Sequence, residues 1–334
     1  MTARRVAVLA GGRSSEHEVS LASGASVAAG LRAAGHAVTT IAIGRDGVWR
    51  RDGEPLSVTL GAGLPGTDVV FPVLHGPFGE DGTVQGLLEC LDMPYVGAGV
   101  LASALCMNKV VFKQLMAEVG IPQVRYRAID ELAFRTDPAA VARAVAELDF
   151  PVFVKPARLG SSVGIARVAR ADELEPALET AFTHDSLAIA EAFADGREIE
   201  CSVIGNEDPI ASQPGEIMLG AGESGWYDYA AKYSPGGMRL VVPARIDPAV
   251  AERVRELAVR SFAASGCSGL ARVDFFVLSD GAVLVNELNT MPGFTETSVF
   301  GSLFAASGIA YPELLDRLVA LALARHAAER AHRY

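Results

Sequence analysis

The sequence predicts an α/β protein that opens with a Rossmann-like parallel sheet domain, and three observations support this fold class. Apolar segments at Val6–Leu9, Val38–Ile43 and Val69–Leu74 alternate with segments of helical periodicity such as Ser15–Ala34. Continuous apolar strands that alternate with helices are typical of a parallel sheet buried on both faces. Polar, glycine-containing loops follow the first and third of these strands, at the edge where open α/β sheets bind ligands.

The chain has 334 residues, which suggests two or three domains, and its pattern changes near residue 108. Asn108–Val119 is predicted to be helical. The later segments are typical of hairpins: the apolar strand Pro151–Val154 returns after a loop rich in glycine and serine, and Gly269–Leu278 pairs with Ala282–Leu288 across an Asp-Gly turn. The irregular stretch Leu219–Gly237 is long enough to indicate a functional loop.

The composition is that of an acidic globular protein, with a formal net charge of -11 and a pI of about 5.1. This charge argues against nucleic acid and anionic membranes as partners. The N-terminal apolar run is too short for a signal peptide, and no segment reaches the roughly 20 apolar residues of a membrane span, so we expect a cytoplasmic protein. Four scattered cysteines, expected to be buried, argue against a disulfide framework or a zinc site: Cys90, Cys106, Cys201 and Cys267.

Two predicted strands near the C-terminal end carry a candidate metal site. Glu287 and Asn289 are two residues apart, so both side chains project from one face of their strand, and Asp274 on the partner strand can lie opposite them. Two carboxylates and an amide oxygen without a fixed basic partner suit Mg²⁺, which often bridges substrate phosphates. The alternative interpretation is a solvated strand face with ordinary acidic residues.

A lysine followed by a flexible loop forms a candidate phosphate site. Lys155 ends an apolar strand and precedes the loop Gly160–Gly164. Backbone N–H groups of such a loop can surround a phosphate, and the lysine adds a positive charge. The order differs from the P-loop motif, in which the lysine follows the glycines. An exposed lysine beside a hairpin tip is the alternative, and Lys109 and Lys232 carry no signal by themselves.

Two loops at the ends of the N-terminal strands could bind an amino acid. In Gly11–Glu18, Glu16 would repel a pyrophosphate but suits an ammonium group, whereas helix capping is the structural alternative. In His75–Gly82, His75 could bind a carboxylate, or it could be a structural residue with satisfied hydrogen bonds. The sequence has no nucleophile motif, so the predicted chemistry is electrostatic and acts on phosphate and metal.

Taken together and in this order, these segments resemble the D-alanine–D-alanine ligases of the ATP-grasp superfamily. The resemblance extends over nearly the whole chain and rests on seven segments: Gly11–Ser20, His75–Gly86, Lys155–Gly164, Glu191–Glu198, Tyr227–Tyr233, Arg272–Asp274 and Asn286–Ser298. It implies a two-domain ATP-grasp fold after the Rossmann-like domain. The implied domains are residues 1–108 with the first D-alanine site, residues 109–190 with the phosphate loop, and residues 191–334 with the metal site, lid loop and second D-alanine site. ATP would lie between the last two, and the enzyme would be a homodimer.

The resemblance also assigns residues to ATP and its metal. The phosphates would contact Lys109, Lys155 and Lys232, and the loop containing Ser161 and Ser162 would close over them. Glu191 would contact the adenine amino group, and the backbone near Phe193 and Ala194 would contact the edge of the ring. Glu198 would bind the ribose, and Phe276 would also contact the nucleotide. Mg²⁺ would be held by Asp274, Glu287 and Asn289; Mn²⁺ could replace it, and a monovalent cation is a further candidate.

The substrate assignments follow from the same resemblance. They are Glu16 at the ammonium of the first D-alanine, His75 near its carboxylate, Arg272 and the backbone N–H of Gly293 at the oxyanion, and Ser298 at the second carboxylate. Ser161 and Tyr233 would join Glu16 in a hydrogen-bonded set that latches the loop. Tyr233 indicates an amine acceptor, because the related D-alanine–D-lactate ligases usually have histidine there.

The implied reaction joins two D-alanine molecules for peptidoglycan precursor synthesis. The first carboxylate attacks the γ-phosphate and gives an acyl phosphate, which the second amine attacks with release of phosphate. An acyl phosphate hydrolyses readily in water, so a closing lid such as Leu219–Gly237 has a physical purpose.

Three other functions compete with this reading. Another ATP-grasp carboxylate–amine ligase is the nearest, although Glu16, Tyr233 and Ser298 together favour D-alanine. A nicotinamide-dependent dehydrogenase fits the N-terminal rhythm, but the chain lacks a G-x-G-x-x-G motif there. A non-catalytic nucleotide-binding regulator would not need the complete set of lysine and metal positions.

Overall fold

A computed structural model describes residues 2–160, 162–219, 238–295 and 298–332, and within these residues the strands form three β-sheets. The strands are β1 (Arg5–Gly11), β2 (Ala37–Ile43), β3 (Trp49–Arg51), β4 (Glu54–Pro55), β5 (Val69–Val73), β6 (Tyr126–Asp130), β7 (Val152–Pro156), β8 (Ala166–Val168), β9 (Leu187–Ala192), β10 (Gly196–Gly205), β11 (Ile210–Ala211), β12 (Gly215–Leu219), β13 (Met238–Val241), β14 (Gly269–Leu278) and β15 (Val283–Asn289). The α-helices are α1 (His17–Ala33), α2 (Thr83–Cys90), α3 (Val100–Met107), α4 (Lys109–Glu118), α5 (Glu131–Thr136), α6 (Pro138–Ala146), α7 (Leu174–Phe182), α8 (Pro248–Ala264), α9 (Val299–Ala306) and α10 (Tyr311–Arg330), with a 3₁₀ turn at Ala171–Glu173.

The N-terminal sheet has the strand order β4-β3-β2-β1-β5. Strand β1 pairs in parallel with both β2 and β5, which confirms the predicted parallel arrangement. The antiparallel strands β3 and β4 extend one edge and were not predicted. Helix α10 packs with α1 on one face, where Val8, Phe71 and Leu315 share a buried core. The last helix of the chain therefore stabilises the first sheet.

The second sheet is antiparallel, with the order β6-β9-β7-β8. Its β7–β8 hairpin confirms the predicted strand, loop and returning strand around Lys155. Val152 and Val154 point into a core closed by α7, whose Leu178 is fully buried. The loop that joins β7 to β8 is thereby held at one end of a packed sheet, close to the start of β9, where Pro156 pairs with Ala188.

The third sheet has the order β13-β12-β10-β14-β15, with β11 added to β10. The hairpin of β14 and β15 was predicted, and it pairs Asp274 with Glu287 and Arg272 with Asn289. An irregularity between Asp274 and Phe275 shifts the register there. Helix α8 covers the back of this sheet with an apolar face, so the opposite face is available for a ligand.

Helix ends follow local sequence signals. The Asn108 side chain accepts hydrogen bonds from the first turn of α4, and Asp247 does the same for α8, which begins with Pro248. All four cysteines are free thiols, but Cys90 is exposed, so the expectation that every cysteine is buried was wrong for this residue, which ends α2.

Among the described residues, no single helix is both long and apolar enough to cross a membrane. By length and composition alone, the bent pair of helices Val100–Met107 and Lys109–Glu118 passes the same test when the two are taken together.

Candidate active site

The loop after β1 is organised by serine hydroxyls. The backbone N–H of Gly11 donates to Ser20 Oγ at 2.8 Å, and Ser14 Oγ donates to the carbonyl of His75 at 2.7 Å. Ser14 Oγ also accepts from the N–H of Glu16 at 3.2 Å. Gly11 has φ +98°, and a Cβ there would lie 2.3 Å from the carbonyl oxygen of Ile43. These contacts fix Glu16 at the start of α1, with its side chain buried beside the loop that follows β5.

His75 is enclosed by protein partners at both ring nitrogens. Its Nδ1 donates to the carbonyl of Met291 at 3.1 Å, and its Nε2 lies 3.2 Å from Ser23 Oγ. Burial lowers the pKa of His75, although the charge of Glu16 and the hydrogen bond to Met291 oppose this shift. The geometry matches the structural alternative: His75 ties the loop after β5 to the segment that contains Gly293. A contact with substrate carboxylate stays a prediction.

A second carboxyl group, which the sequence analysis did not single out, lies beside Glu16. Glu80 Oε1 accepts from the N–H of Gly76 at 2.7 Å, and a Cβ on Gly76 would lie 2.8 Å from Glu16 Oε2. Both carboxyls therefore contact the same glycine. Burial, and then the charge of Glu16, raise the pKa of Glu80 to about 8. A cationic group placed between these carboxyls would be strongly favoured.

A cavity of about 390 Å³ lies between the second and third sheets. The residues on its wall include most of those assigned to the nucleotide, namely Lys109, Lys155, Ser162, Glu191, Phe193, Ala194, Glu198 and Phe276, together with Asp274 and Glu287. The backbone N–H of Phe193 donates to the carbonyl of Pro151 at 3.2 Å, while the ring is half exposed at the cavity. Most of the predicted nucleotide residues and two of the three predicted metal residues thus share one concave wall, whereas Asn289 is absent from the described wall residues.

The two described lysines that are predicted to contact phosphates are held by specific partners. Lys109 begins α4, and its Nζ lies 2.9 Å from the carbonyl of Leu159 and 3.3 Å from Glu287 Oε2. Lys155 Nζ lies 2.5 Å from Glu191 Oε2. Burial lowers the pKa of Lys155, but the charges of Glu191 and Glu287 outweigh it and raise the pKa overall, so the lysine is a fixed cation.

Glu191 has two lysine partners, of which the sequence analysis named only one as a functional residue. Lys113 Nζ lies 3.0 Å from Glu191 Oε1, opposite Lys155. Burial would raise the pKa of Glu191, but the charges of Lys113 and Lys155 lower it to about 2. The predicted contact between this carboxylate and adenine stays a prediction. A signal for Lys113 was present in the sequence, since it follows Lys109 by one helical turn.

The candidate metal residues meet as their strand register requires, but the prediction that they lack basic partners was wrong. Arg272 donates from Nε and Nη2 to the two oxygens of Asp274, each at 2.7 Å, and Lys109 pairs with Glu287. A partly buried carboxylate needs such compensation. The amide nitrogen of Asn289 donates to Asp274 Oδ2 at 3.0 Å. Within the described part of the chain, no group of three histidine, cysteine or acidic residues is arranged to hold a metal.

Arg272 connects the metal residues to a buried acid that the sequence analysis did not name. Its Nε lies 2.9 Å from Glu200 Oε2, in addition to its two bonds to Asp274. Glu200 follows Glu198 by two residues on β10, so both side chains share one strand face. The two-residue spacing of Glu198 and Glu200 is the feature of the sequence that could have indicated Glu200.

Gly293 and Ser298 lie together at the start of α9. A Cβ on Gly293 would lie 3.0 Å from Ser298 Oγ, so glycine keeps this approach open. Ser298 Oγ accepts from the N–H of Thr295 at 2.8 Å. Three further predicted residues, Ser161, Lys232 and Tyr233, lie outside the described residues. The predicted lid spans residues 219–237, and the strands that flank it pair Leu219 with Met238.

Comparison with known proteins identifies the family of this chain. Residues 115–320 match the family described as D-ala D-ala ligase C-terminus, and residues 5–63 and 54–98 match D-ala D-ala ligase N-terminus. The chain belongs to the D-alanine–D-alanine ligase family. A D-alanine–D-alanine ligase from Deinococcus radiodurans is 47% identical over 96% of this chain and 98% of its own length. One from Halothermothrix orenii is 42% identical over 97% of this chain and 99% of its own length.

The fold of this chain can be compared with solved structures of similar proteins. The D-alanine–D-alanine ligase from Coxiella burnetii superimposes with a TM-score of 0.88 at 34% identity, covering 99% of this chain and 97% of that one. The VanG D-Ala:D-Ser ligase from Enterococcus faecalis gives a TM-score of 0.86 at 36% identity, covering 96% and 100%. These ligases have the ATP-grasp fold, so the predicted fold class is confirmed.

Proposed function

We propose that this chain joins two D-alanine molecules to D-alanyl-D-alanine at the expense of ATP, with the described cavity and the neighbouring carboxyls as its active site. One observation carries the proposal. A Cβ on Gly160 would lie 3.6 Å from Glu16 Oε2, so the phosphate loop lies beside the predicted ammonium site. The same cavity wall carries Lys109 and Lys155. An amino acid and a triphosphate bound at these places would meet.

The residues suggest how the ligation proceeds. Glu16 binds the ammonium of the first D-alanine and leaves its carboxylate free to attack the γ-phosphorus, with ADP as the leaving group. Lys109 and Lys155 balance the charge of the phosphates. The amine of the second D-alanine attacks the acyl carbon, and the tetrahedral oxyanion is stabilised by Arg272 and by the N–H of Gly293. The phosphate then leaves, and the peptide bond is complete.

The remaining assignments are proposals of the same kind. Ser298 binds the carboxylate of the second D-alanine. The lid residues Lys232 and Tyr233 close the site with Ser161, and Tyr233 selects an amine acceptor. Excluding water in this way protects the acyl phosphate.

The donor set suits a divalent cation. Asp274, Glu287 and Asn289 offer hard oxygen donors, and Asn289 uses its amide nitrogen toward Asp274, which leaves the amide oxygen for a metal. We propose that these residues hold Mg²⁺, or Mn²⁺ in its place, which would neutralise negative charge on the phosphates. We also propose the domain boundaries 1–108, 109–190 and 191–334, a homodimer, and a cytoplasmic location.

Phosphate release tests the function directly. The protein is given ATP and Mg²⁺ with D-alanine, with L-alanine, or with D-alanine plus D-lactate or D-serine, and the products are identified by mass. We expect release with D-alanine, formation of the dipeptide, and no release with L-alanine. A mixed product made in preference to D-alanyl-D-alanine would overturn the choice of second substrate, and no release under any condition would overturn the catalytic proposal.

A further inference from the structure

A buried array of three charged side chains, Lys113, Glu191 and Lys155, reaches the wall of the cavity. The Glu191 carboxylate lies between Lys113 Nζ, 3.0 Å from Oε1, and Lys155 Nζ, 2.5 Å from Oε2. The side chain of Lys113 is 0% exposed, and that of Glu191 is 6% exposed. Burial lowers the pKa of Lys113, and the charge of Glu191 opposes this shift. With both lysines protonated, the array carries two positive charges and one negative charge.

Lys113 occupies the far end of this array. Lys155 and Glu191 both lie on the cavity wall, whereas Lys113 is absent from the described residues that form it. Its Nζ lies 5.7 Å from the centroid of the ring of Tyr126, the first residue of β6 in the second sheet. A nucleotide in the cavity would therefore reach Lys113 only through Glu191. Burying an ammonium group is costly, so this position demands an explanation.

We propose that Lys113 is a positioning residue that shares the Glu191 carboxylate with Lys155 and so leaves Lys155 with surplus positive charge for the nucleotide phosphates. This inference rests on the proposed use of ATP at this cavity. Without Lys113, the carboxylate would have Lys155 as its principal partner, and the remaining pair would be neutral. A neutral pair attracts a phosphate much less than a net cation does, and Lys155 would be held toward Glu191.

The charge argument predicts how the effect of Lys113→Met on ATP binding depends on a second change at Glu191. Lys113→Met removes the sharing cation. Adding Glu191→Gln to it removes the nearest anion, so Lys155 loses its ion pair and only the more distant charge of Glu287 acts on it. A residue that only filled space would give the opposite result, because two disrupted buried side chains would be worse than one.

The test measures ATP affinity by calorimetry in the presence of Mg²⁺ and absence of D-alanine, together with KM for ATP and kcat. We expect Lys113→Met to weaken ATP binding on the order of tenfold or more, with kcat at saturating ATP changed much less. Lys113→Arg, which keeps the charge, should stay close to wild type. Glu191→Gln alone is also measured, because it removes the predicted adenine contact, and the double variant should bind ATP nearly as well as Glu191→Gln alone. Urea unfolding checks each variant, and Lys113→Gln replaces Lys113→Met if the latter does not fold.

Two outcomes would overturn the inference while the wild type still binds ATP and forms dipeptide. One is unchanged ATP affinity in both neutral variants of Lys113. The other is a Lys113→Met change that weakens ATP binding as much in the Glu191→Gln background as it does in the wild type. If the wild type itself bound no ATP, the proposed function would fail and this inference would fall with it.

Discussion

Replacing Glu287 with glutamine tests the proposed metal site with the smallest change of shape. Glu287 Oε2 lies 3.3 Å from Lys109 Nζ, and the side chains are 21% and 10% exposed. The variant keeps an oxygen donor but loses a full negative charge. It therefore weakens both the ion pair with Lys109 and the proposed bond to Mg²⁺.

The structure separates the effect on stability from the effect on turnover. A partly buried ion pair of this kind contributes about 1–2 kcal/mol, and Lys109 retains its hydrogen bond to the carbonyl of Leu159. A loss of that size leaves most proteins folded, since the free energy of unfolding is commonly about 5–15 kcal/mol. Loss of a charged metal ligand next to the transferring phosphate should lower kcat by about 100-fold or more.

The assay is dipeptide formation at saturating ATP and Mg²⁺, with urea unfolding measured in parallel. Glu216→Gln is the matched control, because Glu216 is a buried glutamate of the same sheet whose Oε1 lies 3.0 Å from Arg197 Nη1. Glu216 is absent from the described cavity wall. We expect comparable stability losses but near-normal turnover in the control. A Glu287→Gln variant with kcat within tenfold of wild type would refute the metal assignment.

Two further predictions concern stability. Arg325 Nη1 donates to Ser268 Oγ at 2.8 Å and Nη2 to the carbonyl of Tyr95 at 3.1 Å, and its guanidinium lies 4.3 Å from the Tyr95 ring centroid. Arg325→Met should therefore lower the free energy of unfolding in urea by about 3 kcal/mol. A loss below about 1 kcal/mol would contradict this. The pKa of Glu80 is raised from its ordinary value of 4.5 to about 8, so its protonated form stabilises the native state and this stability is lost as pH rises through that window. Urea unfolding at pH 5 and pH 8 should show the wild type losing about 3 kcal/mol relative to Glu80→Gln, and a difference that is the same at both pH values would exclude the effect.

The parts of the fold that the sequence predicted are those whose pattern is local. Strand β5, and strand β1 after its exposed Arg5, are apolar because both of their faces are buried, and the β14–β15 hairpin has its turn residues between two apolar runs. The edge strands β3 and β4 are short and carry arginine, glutamate and proline, so no apolar pattern marks them. Helix α3 is apolar on most of its positions, which hides the helical period.

The site residues also fall into those that a local sequence pattern predicts and those that it does not. Asp274, Glu287 and Asn289 could be predicted because the spacing of residues on paired strands fixes which side chains share a face. Lys113 and Glu191 are 78 positions apart, and only the packing of α4 against the second sheet brings them together. No local spacing indicates such a pair.

The wrong expectation about the metal residues has a general physical cause. A sequence search for a metal site looks for acidic residues without basic neighbours, since the ion is to supply the positive charge. A carboxylate in a partly closed cavity needs compensation before any ligand arrives. Here Arg272, two positions from Asp274, and Lys109, far away in sequence, supply it. The arginine was visible in the sequence but had been assigned to the oxyanion, so its bidentate pairing with Asp274 went unanticipated. In a partly closed cavity of this kind, acidic residues without a cation nearby are therefore the wrong pattern to seek.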